Sequence, residues 1–406
     1  MENSDGVVRA AKQRAQRAID PLTEFLREEA AGGLVLLAAT VVALVCANTP
    51  VRDAYEELWQ TKLTLGSGPV AIREDLRHWV NDALMALFFF VVGLEIKREL
   101  VMGELRDRRA AGLPALAALG GVLLPAGVFL AVVGGGEAAS GWAIPMATDI
   151  AFAVGILALL GDRVSSGVKL LVLAIAVVDD IVAITVIAVF YSSDIAVGWL
   201  IVALGMLALI VAQRRLGVVR VLAYLPAALM LWVAAHESGV HATVAGVVLG
   251  LLTPAGEIGG REVLKELEHR LHPVTSFVVV PLFALANAGV YLGGGALADA
   301  AGARVAWAIA VALVVGKLGG IAGATFLGLR LRIGTLPEGV SQAQVWGVSA
   351  LGGVGFTVSL FIAGLAYDTR ELQEQAKVGI FAGTLVSGLL GASLLVLHAR
   401  RRGRPG

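Results

Sequence analysis

With a single cysteine, Cys46, the chain can form no intrachain disulfide, and no Cys/His cluster has the spacing of a zinc site. Charge is scarce at 16% of residues. Lys+Arg and Asp+Glu balance at 32 each, so no basic or acidic excess points to nucleic acid or to an acidic partner. The charged N-terminal stretch (Arg9, Lys12, Arg14, Arg17, Arg27) lacks an apolar core followed by a cleavage site and reads as a cytoplasmic tail rather than a signal peptide. Long polar connections are missing too, which leaves no room for a second soluble domain. What fills the 406 residues is apolar: 57% hydrophobic and a mean hydropathy of +0.81, the profile of an all-α polytopic membrane protein.

Apolar runs of spanning length predict about twelve transmembrane helices, at roughly 31–48, 80–101, 110–133, 142–160, 168–191, 195–212, 219–235, 239–253, 274–292, 304–328, 343–366 and 377–398. An even number puts both termini on one side. With that topology 24 Lys/Arg fall on the side of the termini and 7 on the other, so the positive-inside rule predicts both termini to be cytoplasmic. Trp79, Trp142, Trp199, Trp232 and Trp307 then lie near the outer ends, as an interfacial aromatic belt requires. The domain reading is a tail over 1–30, one membrane domain over 31–398, and a basic tail over 399–406. Around Gly66-Ser67-Gly68, residues 60–73 alternate polar and apolar residues, which predicts a small outward-facing β-hairpin. A lone hairpin is marginal in water, so it pairs with a copy of itself or packs on its own protein. Residues 253–273 form the longest cytoplasmic connection, with a helical second half and Pro273 as the first residue of helix nine.

The polar residues inside these runs carry the functional signal. Asp179 and Asp180 sit at the centre of the apolar stretch 168–191. An ionised carboxylate at mid-membrane costs about 2.5–3.5 kcal/mol, so the pair calls for a compensating cation, proton or polar cavity. Predicted helix four carries Pro145, Thr148 and Asp149 in mid-span, and predicted helix eleven carries Gly352, Gly353 and Gly355. Both are therefore expected to be discontinuous. Two interrupted spans in matching positions point to inverted repeats, here about 110–191 and 304–398, with a transport site between them. Broken helices expose positive and negative ends at depth, and Asp149 is expected to face the positive ones. Lys317 lies about twelve residues from either end of predicted helix ten, too deep to snorkel, and needs a carboxylate partner. Neighbours on a helix point about 100° apart, so one aspartate can meet Lys317 while the other faces an ion path. A purely structural salt bridge is the competing reading.

Glu95 and Glu99 share a face at the cytoplasmic end of helix two, and Glu268 and His272 share one before helix nine. They are either solvated interfacial charges or a pH-responsive cluster. His241, in HESGVHAT, is ambiguous in the same way.

The stretches NDALMALFFFVVGLEIKREL (81–100), PMATDIAFAVGIL (145–157), AVVDDI (176–181), SGVHATVAG (238–246), LEHRLHPVTSFVVVPLFALANAGV (267–290) and GGVGFTVSLFI (352–362) resemble the bacterial NhaA-type sodium/proton antiporters. The resemblance implies an inverted-repeat fold and, as ion-binding and proton-carrying residues, Asp179 and Asp180 holding sodium, with Thr148 and Asp149 beside them and Lys317 paired with the first aspartate. It implies pH sensing by Glu95, Glu99, Glu268, His269 and His272, and dimerisation through the hairpin. Two local departures stand out: Lys317 is followed by Leu-Gly-Gly and Asp180 by Ile-Val.

The expectation is an electrogenic, pH-regulated antiporter, not an enzyme and without cofactor, that exports sodium or lithium against protons across the bacterial inner membrane. The alternatives are a sodium-coupled solute symporter of related fold and an intramembrane aspartyl protease. The protease is disfavoured because neither Asp149 nor Asp180 stands in a Tyr-Asp or Gly-X-Gly-Asp motif.

Overall fold

In hydrocarbon every backbone N–H and C=O must be satisfied within its own segment, so apolar runs with so little charge fold as helices. A computed structural model of the chain describes residues 29–66, 72–192, 195–257 and 260–402. Most of the N-terminal tail, the tip of the hairpin and the last four residues lie outside that range.

The first helix, α1 (Glu29–Ala47), is followed by a short amphipathic helix, α2 (Arg52–Gln60), and two antiparallel strands, β1 (Lys62–Leu65) and β2 (Ile72–Asp75), paired with Lys62 opposite Asp75. Then come α3 (Leu76–Val101), α4 (Arg108–Val133), a 3₁₀ segment (Glu137–Met146), α5 (Ile150–Leu160), α6 (Ser166–Phe190) and α7 (Val197–Arg215). The second half holds α8 (Leu225–Glu237), α9 (Ala242–Leu252), α10 (Val263–Asn287), α11 (Arg304–Arg330), α12 (Gln342–Leu351), α13 (Phe356–Ala366) and α14 (Arg370–Arg402).

Among the described residues nine helices are long and apolar enough to cross a membrane, or ten with α12 and α13 counted as one bent span. Helices stand at all twelve expected places, but α8 and α9, predicted helices seven and eight, have only 13 and 11 residues. At 1.5 Å per residue they fall short of a core about 30 Å thick. Local punctuation explains this: Pro226 fixes the start of α8, Gly239 at φ +79° follows its end, and Pro254 follows α9. Pro273 is likewise not the start of a new helix. It lies inside α10, and a π-helical turn over Thr275–Val279 follows the point where its missing N–H interrupts the ladder. Glu29 and Ala30, read as the end of the tail, are already helical, and α14 runs past the expected 398 to Arg402.

Two close helix crossings position the site. A Cβ on Gly93 of α3 would stand 2.6 Å from the Val247 carbonyl of α9, so only glycine lets these backbones meet. Gly120 of α4 and Gly320 of α11 face each other's carbonyls in the same way, which pins α11 one turn beyond Lys317. A π-helical turn over Ala312–Gly316 directly precedes Lys317. It supplies a local irregularity in a helix that has no proline there, and such turns recur at functional sites.

Candidate ion site

Both expected interruptions are present, and they differ in kind. In the first, the tight 3₁₀ segment carries Pro145 next to its last residue, Met146, and Ala147–Asp149 run extended before α5 begins. In the second, Gly352–Gly355 turn the chain between α12 and α13, whose axes meet at 46°. Five polar contacts tie the two breaks together. The Asp149 amide donates to Val354 O at 2.6 Å, and the Ser359 hydroxyl donates to Ile144 O at 2.7 Å. Thr148 Oγ1 lies 2.8 Å from Gly352 O, and Thr357 donates to the Asp149 carboxylate. Gly355 packs where a Cβ would stand 2.9 Å from Ala147 O, and Gly353 packs against the Leu313 carbonyl, so the second break needs its glycines for closeness.

Asp149 serves both helix starts. Its Oδ1 accepts the Phe152 amide at 3.0 Å as the cap of α5, and its Oδ2 accepts the Thr357 amide at 2.9 Å and the Thr357 hydroxyl at 2.6 Å at the start of α13. One carboxylate therefore sits on the positive ends of two short helices.

Asp179 and Asp180 are consecutive on α6 and face different surroundings. Asp179 is 0% exposed, and its Oδ2 accepts from the Lys317 ammonium at 2.6 Å and from Thr148 Oγ1 at 2.7 Å. Lys317, also 0% exposed, donates to Thr148 Oγ1 at 3.2 Å as well. The one hydroxyl proton of Thr148 thus goes either to Asp179 or to the Gly352 carbonyl. The second oxygen of Asp179, Oδ1, is buried without a hydrogen-bond partner. Asp180 is 6% exposed and lines a cavity of about 50 Å³. Thr148, Asp149 and Thr357 line the same cavity, and so do Glu29, Glu95 and His272.

Around this second group, His272 Nε2 is 2.6 Å from Glu29 Oε1 and 3.8 Å from Glu95 Oε1. Arg98 bridges Glu268 and Glu99, the latter at 3.1 Å. Of the residues singled out from the sequence, Glu95, Glu99, Glu268 and His272 thus come together. His269 does not: it is exposed on α10 and absent from the cavity. His241 precedes α9 with its ring edge-on to Phe361 and is not in this cavity either. Glu29, Arg98 and Thr357 were missed. Glu29 was hidden among charges before the first apolar run; Thr357 had a usable signal, a hydroxyl at the start of the helix after a Gly-rich break.

Chemically, the arrangement offers hard oxygen ligands and a competing ammonium beside a small cavity, which suits exchange of small cations with protons. Comparison with known proteins agrees. Residues 23–395 match the family described as Na+/H+ antiporter 1. The chain is 46% identical over 383 residues to Na(+)/H(+) antiporter NhaA 1 of Erythrobacter litoralis, covering 94% of both chains. It is 45% identical over 386 residues to Na(+)/H(+) antiporter NhaA of Bordetella parapertussis, covering 93% of this chain and 97% of the relative. Against Na(+)/H(+) antiporter NhaA of Anaeromyxobacter sp. it is 45% identical over 422 residues, covering 94% and 92%. The chain is a multi-pass membrane protein that belongs to the Na+/H+ antiporter 1 family.

Proposed function

We propose that this protein is an electrogenic sodium (or lithium)/proton antiporter in which the cation and protons take turns on Asp179 and Asp180. The observation that carries the reading is the contrast between the two: Asp179 is held by Lys317, while Asp180, its neighbour, borders a cavity. With no cation bound, Asp180 holds a proton and Lys317 neutralises Asp179. Sodium enters from the cavity and is taken by the two carboxylates, with the Thr148 hydroxyl and a backbone carbonyl as further oxygen ligands. Asp180 then gives up its proton, and Lys317, losing its partner, gives up another. Two protons against one sodium move one net charge per cycle, which ties exchange to membrane potential by about 2.3 kcal/mol per 100 mV. Asp149 serves as the fixed negative charge on the two helix starts.

The size of the cavity beside Asp180 supports ions over organic solutes at that site. About 50 Å³ holds a few waters or a partly hydrated ion, whereas small-molecule sites run to about 300–1,000 Å³. A protease dyad is unsupported, because Asp149 is engaged by two helix starts and Asp179 by Lys317.

The family assignment supports placement in the bacterial inner membrane, and the Lys/Arg asymmetry supports cytoplasmic termini. Interruptions at matching positions support inverted repeats over about 110–191 and 304–398. On the hairpin, β1 is exposed along its length, including Leu63 and Leu65, and an open two-stranded edge suits pairing with a second copy. The cluster of Glu29, Glu95 and His272, with Arg98, Glu99 and Glu268 nearby, is the proposed seat of pH regulation.

The test is exchange in proteoliposomes. Wild-type protein should exchange sodium for protons at a rate that responds to an imposed potential, and Asp180→Asn should exchange neither ion. Insensitivity to potential contradicts the stoichiometry; substantial exchange by Asp180→Asn moves the site elsewhere.

A further inference from the structure

Asp149 and Thr357 line the same cavity as Asp180, yet every polar contact Asp149 makes points to the protein. A carboxylate has about four lone-pair positions. Three are used here, one on Oδ1 by the Phe152 amide and two on Oδ2 by the amide and hydroxyl of Thr357. The Asp149 backbone is fixed as well, by its amide bond to Val354 O at 2.6 Å. Only side-chain rotation could bring a carboxylate oxygen to a cation beside Asp180, and the Thr357 hydroxyl at 2.6 Å is the contact that opposes that rotation without being part of a helix backbone.

We infer that Thr357 is a positioning residue that withholds Asp149 from the transported cation and thereby sets the affinity for sodium. A cation held by two carboxylates and neutral oxygens is bound loosely enough to leave. A third carboxylate would bind it more tightly and slow release. Ligand charge count tunes cation affinity over orders of magnitude in other oxygen-lined sites. Thr357→Val keeps the branched shape and removes only the hydroxyl donor. One lone pair of Asp149 Oδ2 is then released on the wall of the cavity, where the cation is the strongest available partner.

The inference rests on the antiport reading and predicts a split in kinetics rather than a plain loss. In proteoliposomes, Thr357→Val should lower the KM for sodium about tenfold, which is a modest change on the affinity scale, and lower kcat with it. Its activity at fixed, low sodium should extend to more acid pH, because the cation competes better with protons. Thr357→Ser, which keeps the hydroxyl, should match wild type. In an Asp149→Asn background, where no third charge can be recruited, adding Thr357→Val should leave KM unchanged. Should Thr357→Val not fold, Thr357→Cys takes its place with the same expected shift, since a thiol is a weak donor. An unchanged KM in the hydroxyl-free variant, an equal shift in Thr357→Ser, or a shift that persists with Asp149→Asn overturns the inference. Wild-type protein in the same vesicles separates the two levels: no exchange there sinks the antiport reading itself, whereas wild-type exchange with any of the three contrary results sinks only the role of Thr357.

Discussion

Two neighbouring residues on one helix live in opposite worlds. Asp179 faces α11, where burial is complete and an ammonium and a hydroxyl share one of its oxygens. Asp180, one position on, faces a cavity whose wall continues to Glu29, Glu95 and His272. A buried ion pair is worth little over an apolar pair of the same shape but is costly to break on one side. An aspartate on a small polar cavity can instead change partners with the ions that reach it. Helical geometry alone produces the difference, and it gives one site a carboxylate already paired with an ammonium and a second one that borders the cavity.

Substitutions should separate the two sides, and the largest effect belongs to the exchangeable one. Asp180→Asn should reduce exchange at least 100-fold while leaving helix content and melting temperature near wild type; a variant that unfolds instead would make Asp180 a structural residue. The converse holds for Lys317. Lys317→Ala strands a buried carboxylate and should cost about 3–5 kcal/mol of stability, read as a lower melting temperature in detergent. Most of that should return in Lys317→Ala with Asp179→Ala. If Lys317→Ala keeps electrogenic exchange, the lysine is only a strut and the proton it is proposed to carry must come from another group.

Smaller effects are expected from Glu29 and His272, which line the same cavity, and their signs differ. Glu29→Gln removes an acidic group from the wall of the cavity that Asp180 borders, makes the potential there less negative, and should move the pH profile of exchange toward acid. His272→Gln removes a group that is positive when protonated and should move the profile toward alkali. Profiles that shift the same way would mean that the pair acts through packing rather than charge. Least of all, His269→Gln should shift the profile by less than either, because His269 is exposed and outside the cavity.

Much of this was legible in the sequence because membrane chemistry is strict. Asp179, Asp180 and Lys317 stand out against an apolar background, and the 100° step between neighbours already assigns them different faces. Pro145 and the glycines at 352, 353 and 355 likewise announce the two breaks. The rest was hidden where the signal is not local. Glu29 reads as one more charge in a charged tail, and only the packing of α1 beside α10 brings it to His272. Thr357 is unremarkable in sequence until the crossing of the two breaks delivers Asp149 to it from 208 residues away. The shortness of α8 and α9 depended on how Pro226, Gly239 and Pro254 punctuate runs whose hydropathy is continuous. The π-helical turn before Lys317 has no composition signature.

The central claim is that sodium and protons compete for the same carboxylates, and it is tested most directly without transport. Sodium added to purified protein in weakly buffered detergent should release roughly two protons per cation bound, since competition at shared groups is reciprocal. The release should vanish in Asp180→Asn. Sodium binding with no proton release, or release of equal size from Asp180→Asn, would contradict it.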